Sequence, residues 1–182
     1  MAIIVVGGNA RKVGKTSVIS GLISHLIEYN WMAFKITPHA HCGDDLQIVE
    51  EKSRDRNTDT SRFLVAGAKK AFLVCVPVEG MEAAMPDIRK ELDKARNAII
   101  ESNSILEFIK PDIYLSILDP AVADFKSPAQ QWLGQADAVL IKLGVARPVP
   151  HWRLREGSLQ FIITPPSYVT PEVVNFVKSR LT

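Results

Sequence analysis

The residues with the clearest chemical potential lie in a glycine-containing loop near the start of the chain, Gly8-Asn-Ala-Arg-Lys-Val-Gly14-Lys15-Thr16. Glycines let a backbone curl so that successive N–H groups converge on phosphate oxygens, and a neighbouring lysine can bind the terminal phosphates. A hydroxyl at the next position is a ligand for Mg²⁺. The spacing therefore predicts a phosphate-binding loop for a nucleoside triphosphate; the alternative is a chance Gly-Lys-Thr in a surface turn.

We expect the whole loop to contact the nucleotide, with Lys15 as its catalytic residue. The predicted nucleotide-binding residues are Gly8, Asn9, Ala10, Arg11, Lys12, Val13, Gly14, Lys15, Thr16 and Ser17. Five residues separate the two glycines, one more than is usual, and Asn9 takes the place of the first glycine. Asparagine is the residue that next best tolerates left-handed backbone geometry, which predicts that geometry at Asn9.

Three charged residues outside the loop are candidates for the same site. Glu101 ends an apolar segment, and Mg²⁺ at a nucleotide wants hard oxygen ligands that include one or two carboxylates. Asp59 begins a predicted helix, where it is either a second metal ligand or a plain N-cap. Lys35 ends a predicted strand and is a second catalytic candidate, binding an anionic substrate or the transferred phosphoryl group, unless it is a surface lysine. The predicted metal ligands are Thr16, Glu101 and Asp59.

Other polar segments have more than one interpretation. The cluster of His39, His41, Cys42, Asp44 and Asp45 has ligands for a transition metal but no second pair at zinc spacing, so a substrate-contacting or disordered loop is the alternative. The charged residues 50–56 form either a solvated face or a switch that becomes ordered when nucleotide binds. Asp119, which ends another apolar segment, belongs to a turn or lines the substrate cleft.

The candidate site residues can meet only if strands and helices bring them together. Along the chain, apolar segments typical of strands alternate with segments typical of helices. The pattern predicts strands over 2–6, 32–36, 71–76, 97–100, 113–118, 136–143 and 159–163, and helices over 16–29, 58–68, 81–95 and 171–181. Residues 105–110 should form a turn or two of helix. Residues 38–57 lack periodicity and predict a long loop. Pro86 predicts the start of the regular part of the third helix.

This alternation predicts an α/β fold, a mostly parallel sheet with helices on both faces. Ligands of such sheets bind at the carboxyl ends of the strands, where the candidate residues fall. A length of 182 residues favours one domain over 1–182. The net charge of +2 does not indicate nucleic acid, no segment is long enough to span a membrane, and two cysteines favour a reducing, cytoplasmic location.

The loop spacing and the segments after it resemble the dethiobiotin-synthetase and nitrogenase-iron-protein group of P-loop proteins. Within that group, the chain is similar to MobB, the B-protein family of molybdopterin-guanine dinucleotide biosynthesis. The matching stretches are Lys35-Ile-Thr-Pro-His39-Ala-His41 and Asp59-Thr-Ser-Arg62-Phe-Leu-Val-Ala-Gly-Ala68, within residues 1–76. The resemblance implies the P-loop nucleoside triphosphate hydrolase fold, Mg²⁺ with ATP or GTP, and a weak NTPase or adapter in molybdenum cofactor biosynthesis.

Several features leave alternatives open. Of the family's Val-Glu-Gly-Phe-Lys segment, only the glutamate is present here, as Glu101. The lysine that is characteristic of the deviant phosphate-binding loop is replaced by Ala10. The Asn-Lys-x-Asp motif that recognises guanine does not follow residues 136–140. ATP and GTP therefore both remain open. The alternative functions are an ATP-dependent ligase or kinase for a small anionic substrate, or a nucleotide-dependent regulatory switch. The expected partners are the nucleotide, such a substrate or a cofactor-biosynthesis protein, and a second copy in a homodimer.

Overall fold

The computed structural model describes residues 1–38, 45–77, 79–122, 127–143 and 154–181, in which strands and helices alternate. The strands are β1 (Ile3–Gly8), β2 (Trp31–Pro38), β3 (Gln47–Glu50), β4 (Lys70–Val76), β5 (Asn97–Glu101), β6 (Ile113–Leu118), β7 (Ala138–Lys142) and β8 (Leu159–Ile163). The helices are α1 (Lys15–His25), α2 (Asp59–Ala66), α3 (Met81–Leu92), α4 (Ser127–Leu133) and α5 (Pro171–Leu181). Short 3-10 turns cover Ile27–Tyr29 and Ser104–Glu107.

All of these strands join one sheet in the order β3-β4-β2-β5-β1-β6-β7-β8. Every neighbouring pair is parallel except β3 and β4, which are antiparallel. Strands β1, β6 and β7 are apolar and buried along most of their length because both faces of the sheet are covered there. The predicted α/β class, a mostly parallel sheet with helices on both faces, is confirmed.

Two hydrophobic cores lie on opposite faces of the sheet. One includes Ile19 of α1, Phe63 of α2 and Val177 of α5, all of which are fully buried. The other includes Ile88 of α3 and Leu133 of α4. Each large apolar side chain removed from water in this way contributes about 1.5–3 kcal/mol, so the two cores hold the strand ends in a fixed arrangement.

Strand register aligns the candidate residues at one edge of the sheet. Glu101 at the end of β5 stands opposite Val6 of β1 on one side and opposite Lys35 of β2 on the other. Gly8 ends β1 close by, and the loop to α1 starts there. The carboxyl ends of these strands therefore form one mouth, as the parallel fold requires.

The structure corrects several predicted boundaries. The predicted loop over 38–57 contains β3, an edge strand in which Ile48 packs on the core, so a half-buried pattern of four residues was enough for pairing with β4. The third helix starts at Met81, with Pro86 inside it rather than at its start. The first helix ends at His25, before a 3-10 turn, and α4 had no apolar period that would have predicted it.

Strands β6 and β8 and helix α5 have the predicted bounds, while β1 and β2 extend beyond theirs. The extension of β1 through Gly7 and Gly8 matters for the site, because it carries regular pairing with β6 up to the start of the loop. Within the part of the chain that the structure describes, no helix is both long and apolar enough to cross a membrane.

Candidate functional site

The loop from Gly8 to Thr16 joins the end of β1 to the first residues of α1, which is the context that a phosphate-binding loop requires. Gly14 is the N-cap of α1 and has a left-handed backbone, with φ of 113°. Lys12 is also left-handed, with φ of 59°, whereas Asn9 is not. The left-handed geometry expected at Asn9 therefore lies at Lys12, three residues further along the loop.

Asn9 has a different role, because its buried side chain ties the loop to the end of β6. Its Nδ2 donates to the Asp119 carbonyl oxygen at 3.0 Å, and the Asp119 N–H donates back to Asn9 Oδ1 at 3.0 Å. A glycine at this position would have no side chain for either bond. Asn9 therefore fixes the distance between the loop and the neighbouring strand.

Asn103 provides a matching pair of bonds on the other side of the loop. The Gly8 N–H donates to Asn103 Oδ1 at 3.0 Å, and Asn103 Nδ2 donates to the Gly8 carbonyl oxygen at 2.9 Å. A Cβ on Gly7 would collide with the same Asn103 oxygen, so the glycine permits this close approach. Sequence reasoning missed Asn103; its position two residues after the Glu101 strand end was the available signal.

The first turn of α1 is available to an anion. Because Gly14 is the N-cap, no N-cap side chain satisfies the first N–H groups of the helix, whose end also carries a partial positive charge. Lys15 begins the helix, and its Nζ donates to the Ala10 carbonyl oxygen of the loop at 2.9 Å. The lysine thus folds back over the loop, toward the space that the N–H groups face.

Thr16, Lys35, Asp59 and Glu101 come together at the carboxyl ends of β2 and β5. The Thr16 hydroxyl donates to Glu101 Oε2 at 2.9 Å. The Lys35 ammonium donates to Asp59 Oδ2 and to Glu101 Oε1, the second contact being 3.3 Å long. All of the predicted metal ligands and the second catalytic candidate therefore share one constellation.

Electrostatics favour the charged forms of Lys35 and Asp59. Burial alone would lower the pKa of Lys35, but the charge of Glu101 and the hydrogen bond and charge of Asp59 outweigh it and raise that pKa. Burial would likewise raise the pKa of Asp59, but the hydrogen bond and charge of Lys35 lower it. Lys35 is thus an ammonium and Asp59 a carboxylate over the whole physiological range.

Asp59 is not the N-cap of α2. Thr58 takes that position in a capping box with Ser61, so the carboxylate of Asp59 is free to face β2. The Arg62 guanidinium lies one turn further along, 3.6 Å from Asp59 Oδ1, and donates to Ser17 Oγ at 3.3 Å. Arg62 is therefore another cation of the site, which sequence analysis noted in a motif but gave no role.

A cavity of about 690 Å³ opens above these groups. Its lining combines the loop, the strand ends and the aromatic ring of Tyr168. The residues are Gly8, Ala10, Arg11, Lys12, Gly14, Lys15, Thr16, Ser17, Lys35, Ile36, Thr37, Pro38, Asp59, Arg62, Glu101, Ser102, Asn103, Ser104 and Tyr168. Asn9 and Val13 of the predicted contacts do not line it, since Asn9 holds β6 and Val13 is buried in a core.

The remaining candidates lie apart from this cavity or outside the described residues. Asp119 pairs with Lys142 of β7 at 2.8 Å, on the β6 side of the loop. The residues 39–44, which include His39, His41, Cys42 and Asp44, lie outside the described ranges, and Asp45 is exposed. In the described part of the chain, no group of three or more His, Cys, Asp or Glu side chains could hold a metal ion.

The charged segment after β3 is held in place by hydrogen bonds. The Glu51 carboxylate accepts from the Thr58 and Thr60 hydroxyls at 2.8 and 2.9 Å, and from the Ser53 N–H at 2.8 Å. These bonds lower the pKa of Glu51. The segment therefore anchors the start of α2, which carries Asp59.

Known structures share this architecture. HypB from Helicobacter pylori, solved in complex with nickel, matches with a TM-score of 0.50 and 14% identity, over 99% of this chain and 85% of HypB. LpxK from Aquifex aeolicus, solved in complex with ATP, matches with a TM-score of 0.50 and 18% identity, over 89% of this chain and 53% of LpxK. The chain thus spans about half the length of LpxK.

No protein-family model and no curated protein matches the chain. At identities of 14% and 18%, these structural matches are informative about the fold of the chain and not about which ligands it binds. Together with the loop between β1 and α1, they show that the chain has the P-loop α/β fold.

Proposed function

We propose that the chain is a single nucleotide-binding domain that binds a nucleoside triphosphate with Mg²⁺ and acts as a weak NTPase or nucleotide-dependent adapter. The convergence of Thr16, Lys35, Asp59 and Glu101 beside the loop carries this proposal. A Gly-Lys-Thr sequence that occurred by chance in a surface turn would not be expected to lie beside two carboxylates and a second lysine. The cavity volume of about 690 Å³ also lies in the range of about 300–1,000 Å³ found for small-molecule sites.

Each residue has a role that follows from its position. The N-terminus of α1 and the loop backbone hold the phosphates, and Lys15 exchanges the Ala10 carbonyl oxygen for a terminal phosphate oxygen. Lys35 and Arg62 also line the cavity and supply positive charge for a transferred phosphoryl group or an anionic substrate. Asn9 and Asn103 keep the loop in place, so little reorganisation is needed on binding.

The oxygen donors fit Mg²⁺. Thr16 supplies a hydroxyl, and Glu101 and Asp59 supply carboxylates, which is the hard-oxygen set that Mg²⁺ prefers beside phosphates. When bound, the ion would neutralise phosphate charge. Glu101 is only 7% exposed, so its carboxylate needs a cation; Lys35 is that cation in this structure, and Mg²⁺ would be the cation beside bound phosphates.

The resemblance of residues 1–76 to MobB proteins supports a role in molybdenum cofactor biosynthesis in the cytoplasm. A cofactor-biosynthesis protein would then be the partner, and a homodimer the assembly. The nucleotide is ATP or GTP.

A specific observation favours a second candidate, an ATP-dependent ligase or kinase for a small anionic substrate. Among the described residues, the cavity is lined by four cations besides Lys15 and by only two carboxylates, Asp59 and Glu101. The four are Arg11, Lys12, Lys35 and Arg62. This excess of positive charge suits a second anion in addition to the nucleotide. Rapid turnover that appears only with the right small anion would distinguish the ligase or kinase from an adapter.

Thermal-shift measurements with ATP, GTP and molybdopterin nucleotides test the ligand, because a ligand that binds the native state alone raises stability. Glu101→Gln tests the metal site. We expect the variant to bind Mg-nucleotide far more weakly than wild type, while the two proteins bind nucleotide equally in EDTA. Equal losses under both conditions, or none, would exclude Glu101 as a metal ligand.

A further inference from the structure

The ammonium group of Lys35 occupies the place between the carboxylates that we assign to the metal. Its Nζ bonds Asp59 Oδ2 and lies 3.3 Å from Glu101 Oε1. The other Glu101 oxygen accepts the Thr16 hydroxyl at 2.9 Å, and the other Asp59 oxygen lies 3.6 Å from Arg62. All four carboxylate oxygens that Mg²⁺ would use are therefore already in contact with a hydrogen-bond donor or a cation of the protein.

The backbone fixes this arrangement. Lys35 and Glu101 are direct partners in the register between the parallel strands β2 and β5, so their Cα atoms keep their separation. The side chains are 24% and 8% exposed, which limits the alternatives open to the lysine. A surface lysine would spend much of its time in water, whereas this one is held on the carboxylates.

The local charge is balanced without any metal. Asp59 and Glu101 contribute two negative charges, and Lys35 and Arg62 contribute two positive charges at the contacts above. A divalent cation that entered this arrangement would face an ammonium group at contact distance and compete for the same lone pairs. Repulsion between like charges at such distances is large wherever water is partly excluded.

We propose that Lys35 is an internal stand-in for the divalent cation. Its ammonium group neutralises Asp59 and Glu101 in the absence of the metal and leaves them when metal and nucleotide bind together. This inference rests on the proposed nucleotide function and adds an order of binding to it, in which the metal binds together with the nucleotide rather than before it. Without nucleotide, the metal binds weakly. The nucleotide phosphates favour metal binding in two ways, because they are themselves ligands of the metal and because they are new partners for the ammonium group that Lys35 withdraws from the carboxylates. Since coupling of this kind is reciprocal, the metal also raises nucleotide affinity.

The test measures Mn²⁺ binding to nucleotide-free protein by electron paramagnetic resonance. Lys35→Gln should raise Mn²⁺ affinity by about tenfold or more over wild type, because two carboxylates then lack the ammonium. The matched control is Lys94→Gln, which removes a lysine that bonds Glu91 at 2.6 Å on α3, and it should leave Mn²⁺ affinity unchanged. Adding Glu101→Gln to Lys35→Gln should abolish the gain, which assigns it to this site.

Equal Mn²⁺ affinities of wild type and Lys35→Gln would overturn the inference. If Lys35→Gln does not fold, ¹⁵N spectra of the Lys35 ammonium in wild type decide the matter. Its resonance should shift with Mg-ADP and stay in place with Mg²⁺ alone, and an unchanged resonance with Mg-ADP overturns the inference. The affinity of wild type for ADP in EDTA separates the two proposals. If wild type binds ADP but has the same Mn²⁺ affinity as Lys35→Gln, the role of Lys35 as a stand-in is rejected and the nucleotide function stands. If wild type does not bind ADP, the nucleotide function is rejected.

Discussion

Replacing Asn103 with alanine should loosen the phosphate-binding loop from the side of β5. The amide of Asn103 makes two hydrogen bonds to Gly8, at 3.0 and 2.9 Å, and Gly8 is buried. Alanine would leave the Gly8 N–H and carbonyl without these partners. A buried group left unsatisfied costs about 1–3 kcal/mol. Since Asn103 itself is half-buried and water can enter part of the gap, we expect a total loss of about 2–4 kcal/mol.

Urea unfolding of wild type and Asn103→Ala measures this loss directly. In a thermal scan, the same loss corresponds to a fall in melting temperature of roughly 4–16 °C for a domain of this size. Asn57→Ala is the matched control, because Asn57 is exposed and its hydrogen bonds within the described ranges go to the nearby Asp55, and it should change stability by less than about 0.5 kcal/mol.

Nucleotide affinity provides the second readout of the Asn103 variant. A loop that is no longer held at Gly8 must be ordered by the ligand, so affinity should fall even where the variant is fully folded. If Asn103→Ala matches Asn57→Ala in both stability and nucleotide affinity, the two bonds to Gly8 do not hold the loop, and the reasoning is wrong.

Three further predictions concern the surroundings of the loop. Gly14→Ala should reduce both stability and nucleotide affinity, because a left-handed residue with a Cβ costs about 1–2 kcal/mol and the new methyl meets the Tyr168 ring. Thr58→Ala removes the N-cap of α2 and should cost about 1 kcal/mol in urea unfolding. Burial would raise the pKa of Asp119, but Lys142 and a backbone N–H lower it, so the stability that this carboxylate contributes is complete above its unfolded pKa and declines as pH falls through the folded pKa. Lys142→Met should flatten that acid dependence, as followed by unfolding between neutral and acid pH.

Each of these predictions has an outcome that contradicts it. Nucleotide affinity of Gly14→Ala equal to wild type would show that the left-handed N-cap is not part of the phosphate site. Unchanged stability of Thr58→Ala would mean that the capping box is dispensable. If the free energy of unfolding falls with the same slope at acid pH in Lys142→Met and in wild type, the pair of Asp119 and Lys142 does not cause the acid dependence of stability.

The sequence predicted the central elements because their signals are local and strong. The apolar segments of β6 and β8 were delimited correctly, and the Gly-Lys-Thr loop was placed correctly between a strand and a helix. The meeting of Lys35 with Glu101 was also predictable in outline, since parallel strands present their carboxyl ends at one edge.

Other features depend on tertiary contacts that leave no periodic pattern. The edge strand β3 has four residues, of which only Ile48 and Glu50 are half-buried, and its polar flanks made the segment resemble a loop. Asn103 and Tyr168 follow strands as single polar or aromatic residues, and only the folded chain brings them onto Gly8 and Gly14. The side chain of Asn9 was interpreted through backbone propensity, whereas its two bonds to Asp119 involve a strand 110 positions away.

The direct test of the nucleotide-binding function is a titration of Lys15→Ala with labelled ATP and GTP. Because a charged hydrogen bond contributes about 1.5–3 kcal/mol, and Lys15 is expected to make more than one to the phosphates, affinity should fall by about a hundredfold or more. Circular dichroism should remain as in wild type, since the Lys15 ammonium contacts the Ala10 carbonyl rather than a core. Unchanged affinity in a folded variant would show that the Gly8–Thr16 loop is not a phosphate site and would contradict the account.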